Sequence, residues 1–320
     1  MAVPSNTIQA VARVGVREDL SDRIAELFPD ETPFQRAIGK EKASQVFHEW
    51  QTDALAPANH DNKTIQGDDL ANETRPNTVR VGNYSQIMKK VVGASTTVEA
   101  SLKAGRKSEL AREIMKAGKE IRTDAEKRFC GNYAAVPPAS GTPGETAGAL
   151  AFLRSNASRG AAGANPTLSG GSTGYPNAAA TNGTQRAFTE ALLKAQLAAV
   201  WSAGGNPELV IMSVTQKQLA AAFGGLATQR RETGDKKVTI VAGADVYVSD
   251  VGEVEFVPSR YSSTRDALIV DPDMWAVAEL DPLKMIDLAT TGLAKRKAMY
   301  QEVSLVCRNE AASGVVADLT

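Results

Sequence analysis

Two histidines, two cysteines and a scatter of carboxylates are what this chain offers for chemistry. His48 and His60 share one polar tract, so no second histidine-bearing element brings a base, a metal ligand or a nucleophile's partner to either of them. Cys130 and Cys307 stand singly, without a CxxC neighbour, and read as two small buried apolar residues. Asp68 with Asp69, and Asp271 with Asp273, fall at turns; the run Asp271, Pro272, Asp273 is the pattern of an Asx turn rather than of an acid/base pair. The chain contains no GxxxxGK[ST] cradle, no GxGxxG after a strand and no HExxH. The GNPEL run starting at Gly205 reads as a helix end with a turn, not a phosphate loop, and Lys295, Arg296 and Lys297 read as a solvated turn. No catalytic residue, metal ligand or cofactor is therefore expected. An enzyme built here would have to work with carboxylates alone, and Asp271, Asp273 and Asp281 are the candidates.

Charge and composition narrow the classes further. Among 320 residues, 36 Lys and Arg face 37 Asp and Glu, a formal net charge of -1. So even a balance gives no electrostatic reason to expect a dedicated nucleic-acid binder. Aromatics make up only 5% against a hydrophobic share of 42%, which predicts a core of small and aliphatic side chains. Neither a secretory leader nor an apolar run long enough to span a bilayer is visible, so a soluble, cytosolic protein with free thiols is expected.

The elements that would carry any function are organised around residues 98–131. Leu110, Ile114, Gly118, Ile121, Ala125 and Phe129 recur at steps of three and four, an apolar stripe along one helix. Glu109 with Arg112, Glu113 with Lys116, Lys116 with Glu120 and Asp124 with Arg128 would pair on its other faces. At ~1.5 Å per residue the whole stretch is a rod of roughly 45 Å, closed by Gly131 and Asn132 in the left-handed conformation. It is either an ordinary core helix or, with so narrow a stripe, a helix backing a sheet.

On either side lie parts with little core of their own. Leu20, Ile24 and Leu27 allow a short helix ended by Pro29, and Phe34 with Ile38 adds a small apolar contact; this is an arm that must lie on something else, possibly a neighbouring subunit. Val46, Phe47 and Trp50 suggest a strand, and Val79, Val81, Tyr84, Ile87, Val91 and Val92 its return. The polar tract between them has only Leu55, Ile65 and Leu70 to bury. It is a disordered surface loop or an extended β-arm packed on another copy of the chain. Residues 134–185 are rich in Gly, Ser, Ala, Asn and Pro, with Leu150, Phe152 and Leu153 as the one apolar cluster, and read as a partly mobile excursion. Beyond them a compact unit is expected. It contains a helix over 189–202 with Leu192, Leu193, Leu197, Val200 and Trp201 inward, a buried strand over 208–214, and a helix over 215–223 capped by Thr215. Strands follow over 238–251, 254–258 and 267–270, then at 274–280 and in the closing segment. Helices and strands intermingle, so the class is α+β.

That order of parts, together with TQRAFTEALLKAQLAAVWSAGGNPELVIMS at 184–213 and RDALIVDPDMWAVAELDPLKMIDLATTGLAKRKAMYQEVSLVCRNEAASGVVADL at 265–319, resembles the Hong Kong 97-type major capsid protein of tailed bacteriophages. The resemblance implies a Hong Kong 97-like capsid fold. Residues 1–42 would be the N-terminal arm, 43–95 the E-loop, 96–135 the peripheral domain with its spine helix, and 136–187 the excursion. Residues 188–265 would be the axial domain, and 266–320 axial domain plus returning peripheral strands. It implies a virion protein, made in the host bacterial cytoplasm, that self-assembles as hexamers and pentamers into an icosahedral head around the genome. The implied partners are other copies of the chain, a portal protein at one vertex, a separate scaffolding protein, a decoration protein and non-specifically contacted double-stranded DNA, with no membrane. Trp50, Leu55, Lys63, Ile65, Leu70, Arg75, Arg80 and Trp201 would be the intersubunit contacts. Some relatives cross-link an E-loop lysine to a neighbour's asparagine; Lys63 is the one lysine in this tip and no partner for it is evident. An encapsulin-like compartment shell is the alternative on the same fold.

Overall fold

The structure, a computed structural model, describes residues 24, 29–69, 72, 75, 77–223, 245–290 and 292–320. In chain order its first elements are α1 (Pro33–Ala37), β1 (Gly39–Lys42), β2 (Phe47–Thr52), β3 (Val79–Tyr84), β4 (Gln86–Ser95), α2 (Thr96–Ala100) and α3 (Glu109–Phe129). The middle of the chain gives β5 (Ala157–Ser158), β6 (Thr167–Leu168), β7 (Pro176–Ala178), α4 (Glu190–Ser202), β8 (Leu209–Met212) and α5 (Val214–Ala221). The last part gives β9 (Val246–Ser249), β10 (Gly252–Pro258), β11 (Ala267–Val270), β12 (Trp275–Asp287), β13 (Ala294–Cys307) and β14 (Gly314–Val316).

Two sheets organise these elements, a four-stranded one in the order β1-β12-β13-β4 and a six-stranded one in the order β5-β14-β11-β8-β10-β9. Strand alternation explains how the six-stranded sheet joins two cores. On β11, Leu268 and Val270 enter the core beneath α3, while Ala267 and Ile269 enter the one beneath α4. The apolar run on β8 splits the same way, Ile211 to one side and Val210 with Met212 to the other. Both faces are covered, so an unbroken apolar run was the right signal for a buried strand.

The long helix is split. A 21-residue α3 is a rod of roughly 31 Å, and α2 is a separate element before it. Between them Gly105 takes φ +73°, and two serines act as caps: Ser95, just before the expected helix, accepts from Val98 N, and Ser108, expected inside it, accepts from Ala111 N. Glu99 completes the joint by accepting from Ser108 Oγ and Glu109 N. The stripe itself holds, with Leu110, Ile121, Ala125 and Phe129 buried, and α3 lies across β4 and β13 as a backing helix. Two of the expected pairs form, Glu109 with Arg112 and Glu113 with Lys116. Asp124 instead meets Lys90 on β4 and Arg128 meets Glu145, because partners from other elements lie within reach of those faces. Neither Gly131 nor Asn132 turns left-handed. The helix end is closed by Arg128, which donates to the carbonyls of Thr146 at 2.6 Å and Ala134 at 3.0 Å.

The Gly- and Ser-rich excursion is not a mobile linker. Ala147, Ala149, Leu150, Ala151, Phe152 and Leu153 are buried in the core shared with α3 and Trp275. Its composition hides this because irregular backbone is held by polar bonds rather than by a periodic pattern. Asn83 Nδ2 donates to Thr146 Oγ1 (2.9 Å) and to Leu305 O (2.8 Å), and its Oδ1 accepts from Ala147 N (2.9 Å). Gly148 sits so close to the end of α3 that a Cβ there would lie 2.1 Å from Gly131 O.

Other boundaries move for local reasons. The return strand of the hairpin stops at Tyr84; Ile87, Val91 and Val92 belong to β4, which pairs with β13 in the four-stranded sheet. Ser213, not Thr215, caps α5. Trp201, one residue past the buried Val200, faces out. Lys295, Arg296 and Lys297 lie within β13 rather than in a turn, since β12 and β13 run on well past their expected ends. The helix expected at Leu20 and Leu27 and the strand expected over 238–244 lie outside the described residues. Among the described residues no helix is long and apolar enough to cross a membrane.

Candidate intersubunit surfaces

A rigid base carries the hairpin. β2 and β3 pair from Phe47 opposite Tyr84 to Thr52 opposite Val79. An aromatic group fixes that base, with ring centroids 4.6 Å apart for Phe47 and Tyr84 and 5.0 Å for Tyr84 and Tyr175. Gly82 N donates to Gly174 O and Gly174 N to Arg80 O, both at 2.9 Å, so the 170s loop is bonded to β3. Beyond Thr52 the described tract, residues 53–69, is exposed throughout. Leu55 is 95% and Ile65 78% exposed. The order at the tip is local: Asp68 N donates to Ile65 O, Gly67 turns at φ +85°, and Lys63 pairs with Asp61 at 2.6 Å. Among the described residues nothing covers these two aliphatic side chains, and contact with another body would take them out of water.

The remaining candidates are placed as follows. Trp50 is half-buried with its ring 6.0 Å from that of Phe152, an anchor within the chain, and its buried indole N–H has no acceptor among the described residues. Arg80 pairs with Glu49 across the hairpin, and Arg75 is exposed. Leu70 lies outside the described residues. Trp201 is 59% exposed on α4, away from the hairpin strands in sequence and sheet.

Sequence reasoning missed a second bare surface. Past the irregular register at Asp281, β12 and β13 continue as a ribbon, with Met285 opposite Met299 and Ile286 opposite Ala298. The end of β4 lies beside it, Val91 opposite Ala298. Met285 and Ile286 are adjacent, so they point to opposite faces, and both are exposed, as are Val91, Val98, Leu102 and Leu293. The signal was in the sequence: consecutive rather than alternating apolar residues in a strand that one core can cover on one face only.

A third feature is the root of the N-terminal segment, which lies on its own chain. Phe34 is fully buried, edge-on to Trp275 with centroids 5.8 Å apart. The buried Glu126 carboxylate on α3 accepts from Phe34 N (2.7 Å), Gln35 N (3.0 Å) and Gln35 Nε2 (2.9 Å). Burial pushes its pKa up, against the pull of those donors. Upstream, Asp30 pairs with Lys119 at 3.1 Å and Tyr261 Oη donates to Pro29 O. Residues 29–35 therefore run along α3.

The reactive residue types are placed in structural roles. His48 Nε2 lies 2.9 Å from Glu41 Oε1, and Glu41 also pairs with Arg308. Cys130 and Cys307 are buried, and burial pushes both thiols up in pKa. Asp271 accepts from Asp273 N (3.2 Å) and from Asn206 N (3.0 Å), the Asx turn expected of it. Asp281 pairs with Lys284 further along β12.

Several similar proteins are phage capsid proteins. The major capsid protein of Escherichia phage Phieco32 is 26% identical over an alignment of 336 positions that covers 94% of each chain. The cyanophage A-1(L) capsid asymmetric unit superposes with a TM-score of 0.69 at 13% identity, over 98% of this chain and 100% of that one. An assembly of phage G gp27 major capsid proteins and gp26 decoration proteins superposes at 0.57 and 9% identity, over all of both chains. The fold is thus the Hong Kong 97-like capsid fold that the order of elements implied. The family model for the SU10 major capsid protein matches residues 3–320, so this chain belongs to the SU10 major capsid protein family.

Proposed function

We propose that this major capsid protein assembles as hexamers and pentamers into the icosahedral head of a phage, with the β2–β3 hairpin as an E-loop laid over an adjacent subunit. The observation that carries the reading is the pair Leu55 and Ile65, bare at the end of an arm whose base is rigid. In it α3 is the spine helix of a peripheral domain containing the four-stranded sheet, and the six-stranded sheet with α4 and α5 is the axial domain. The apolar ribbon end around Met285, Ile286 and Leu293 supplies a second contact between copies, and Trp201 a third. The phage head is favoured over an encapsulin-like compartment by the family and by the Phieco32 relative. The further partners of this reading are a portal protein at one vertex, a scaffolding protein, packaged double-stranded DNA and a decoration protein; the phage G assembly includes such a decoration protein.

Electron microscopy of the purified chain, or of the particles that contain it, tests this. Closed shells in which a hairpin reaches from one subunit onto the next are expected. Monomers and dimers alone, at concentrations well above those used to form shells of other members of the family, would overturn it.

A further inference from the structure

The four-stranded sheet is backed on one face only. On that face Lys90 of β4 pairs with Asp124 of α3, and a Cβ at Gly118 of α3 would lie 3.3 Å from Met299 Cε on β13. Side chains alternate along a strand, so Val91 and Ala298, next to those residues, point away from α3. The register sets Ile286 opposite Ala298 in the same row, and Ile87, four residues before Val91, shares the face. Ile87, Val91 and Ile286 are all exposed. The same alternation puts Lys89 and Arg296 on this face. Both are exposed, and among the described residues neither side chain has an ion-pair or hydrogen-bond partner. The nearby acids are engaged, Asp281 with Lys284 and Glu302 with Ser85 Oγ at 2.6 Å.

Bare aliphatic groups flanked by two unneutralised cations suit an occupant that brings aliphatic side chains and negative charge together. The hairpin tip has both. Leu55 and Ile65 are exposed, and residues 53–69 hold four aspartates against one lysine, Lys63, which pairs with Asp61. We infer that this sheet face receives the hairpin tip of a second copy, with Leu55 and Ile65 against Ile87, Val91 and Ile286 and the tip aspartates beside Lys89 and Arg296. The inference rests on the capsid reading above and names the surface beneath the arm. A cavity bordered by Arg36, Lys40 and Arg122 is the competing receiver. It suits the tip less well, because Glu279 holds Lys40 at 2.7 Å and its apolar wall of Phe129, Val277 and Val303 is already buried.

The test reverses charges in the full chain and reads, by light scattering, the protein concentration at which shells form. Like charges set against one another across an interface are costly, so Lys89→Glu/Arg296→Glu should raise that concentration about tenfold or more. Adding Asp68→Lys/Asp69→Lys to the same chain restores opposite signs and should bring it back to within about threefold of the parent. Arg36→Glu/Arg122→Glu should gain nothing from the same addition. Urea unfolding of each variant separates lost assembly from lost folding. A variant without charge reversal, Ile65→Cys/Val91→Cys, is oxidised with glutathione disulfide after assembly; links between chains are expected on a non-reducing gel, and none for Ile65→Cys/Arg36→Cys. A parent-like threshold in Lys89→Glu/Arg296→Glu, no rescue in chains that fold, rescue of the Arg36 and Arg122 reversal instead, or links confined within single chains would overturn the inference while shells persist. A parent that forms no shells would overturn the capsid reading itself.

Discussion

Replacing Leu55 and Ile65 with serine should separate folding from assembly. In the isolated chain these side chains touch almost nothing, at 95% and 78% exposure, so the double variant should unfold within about 0.5 kcal/mol of the parent, as surface substitutions do. In a shell each side chain that becomes buried is worth about 2 kcal/mol. Allowing for incomplete burial, one hairpin loses about 3–4 kcal/mol of contact. At ~1.4 kcal/mol per decade, the concentration at which assembly sets in should rise by about two to three decades. Urea unfolding measures the first quantity, and light scattering against protein concentration, checked by microscopy, measures the second. Assembly at the parent's threshold would refute the claim that the hairpin tip is buried between copies. A loss of stability in the unassembled chain equal to the loss of assembly would show instead that the tip packs on its own body.

Three further outcomes follow from buried groups. Glu126→Ala leaves the N–H groups of Phe34 and Gln35 without their acceptor; a cost of about 2–4 kcal/mol in urea unfolding is expected, with faster proteolysis at residues 29–38. Equal stability and cleavage would remove Glu126 as the anchor of that segment. Asp318 is buried, which works to raise its pKa, but the N–H groups of Gly160 and Gly183 and the Arg265 guanidinium together hold it below the ordinary 3.8. A lowered carboxylate stabilises above its unfolded pKa and loses that contribution as pH falls through the folded value. Parent and Asp318→Asn should therefore differ by about 2 kcal/mol near neutrality and converge below pH 3.8; a gap unchanged by acid would contradict this. Cys130 and Cys307, buried with raised pKa, should react with a thiol reagent only at the rate of unfolding; fast labelling of the native chain would mean that one of them is reachable.

Much of the fold was legible because periodic burial leaves a periodic sequence. The α3 stripe, the β8 run and the helix expected over 189–202 were readable for that reason. So was the hairpin's lack of a core, since only three apolar residues interrupt a polar tract, and the order of these parts carried the resemblance to capsid proteins. What stayed hidden has no local signature. The break before α3 depends on Glu99 reaching across to Ser108. The burial of residues 146–153 depends on Asn83 and Thr146 bonding strands far apart in the chain. Sequence alone determined the segments with a strong local pattern, such as α3, α4 and β8, because backbone geometry and solvent act on neighbours along the chain. Which polar groups meet, and which charges are left without a partner, was decided only by tertiary structure, because those pairings join residues whose separation along the chain carries no information about their distance in space.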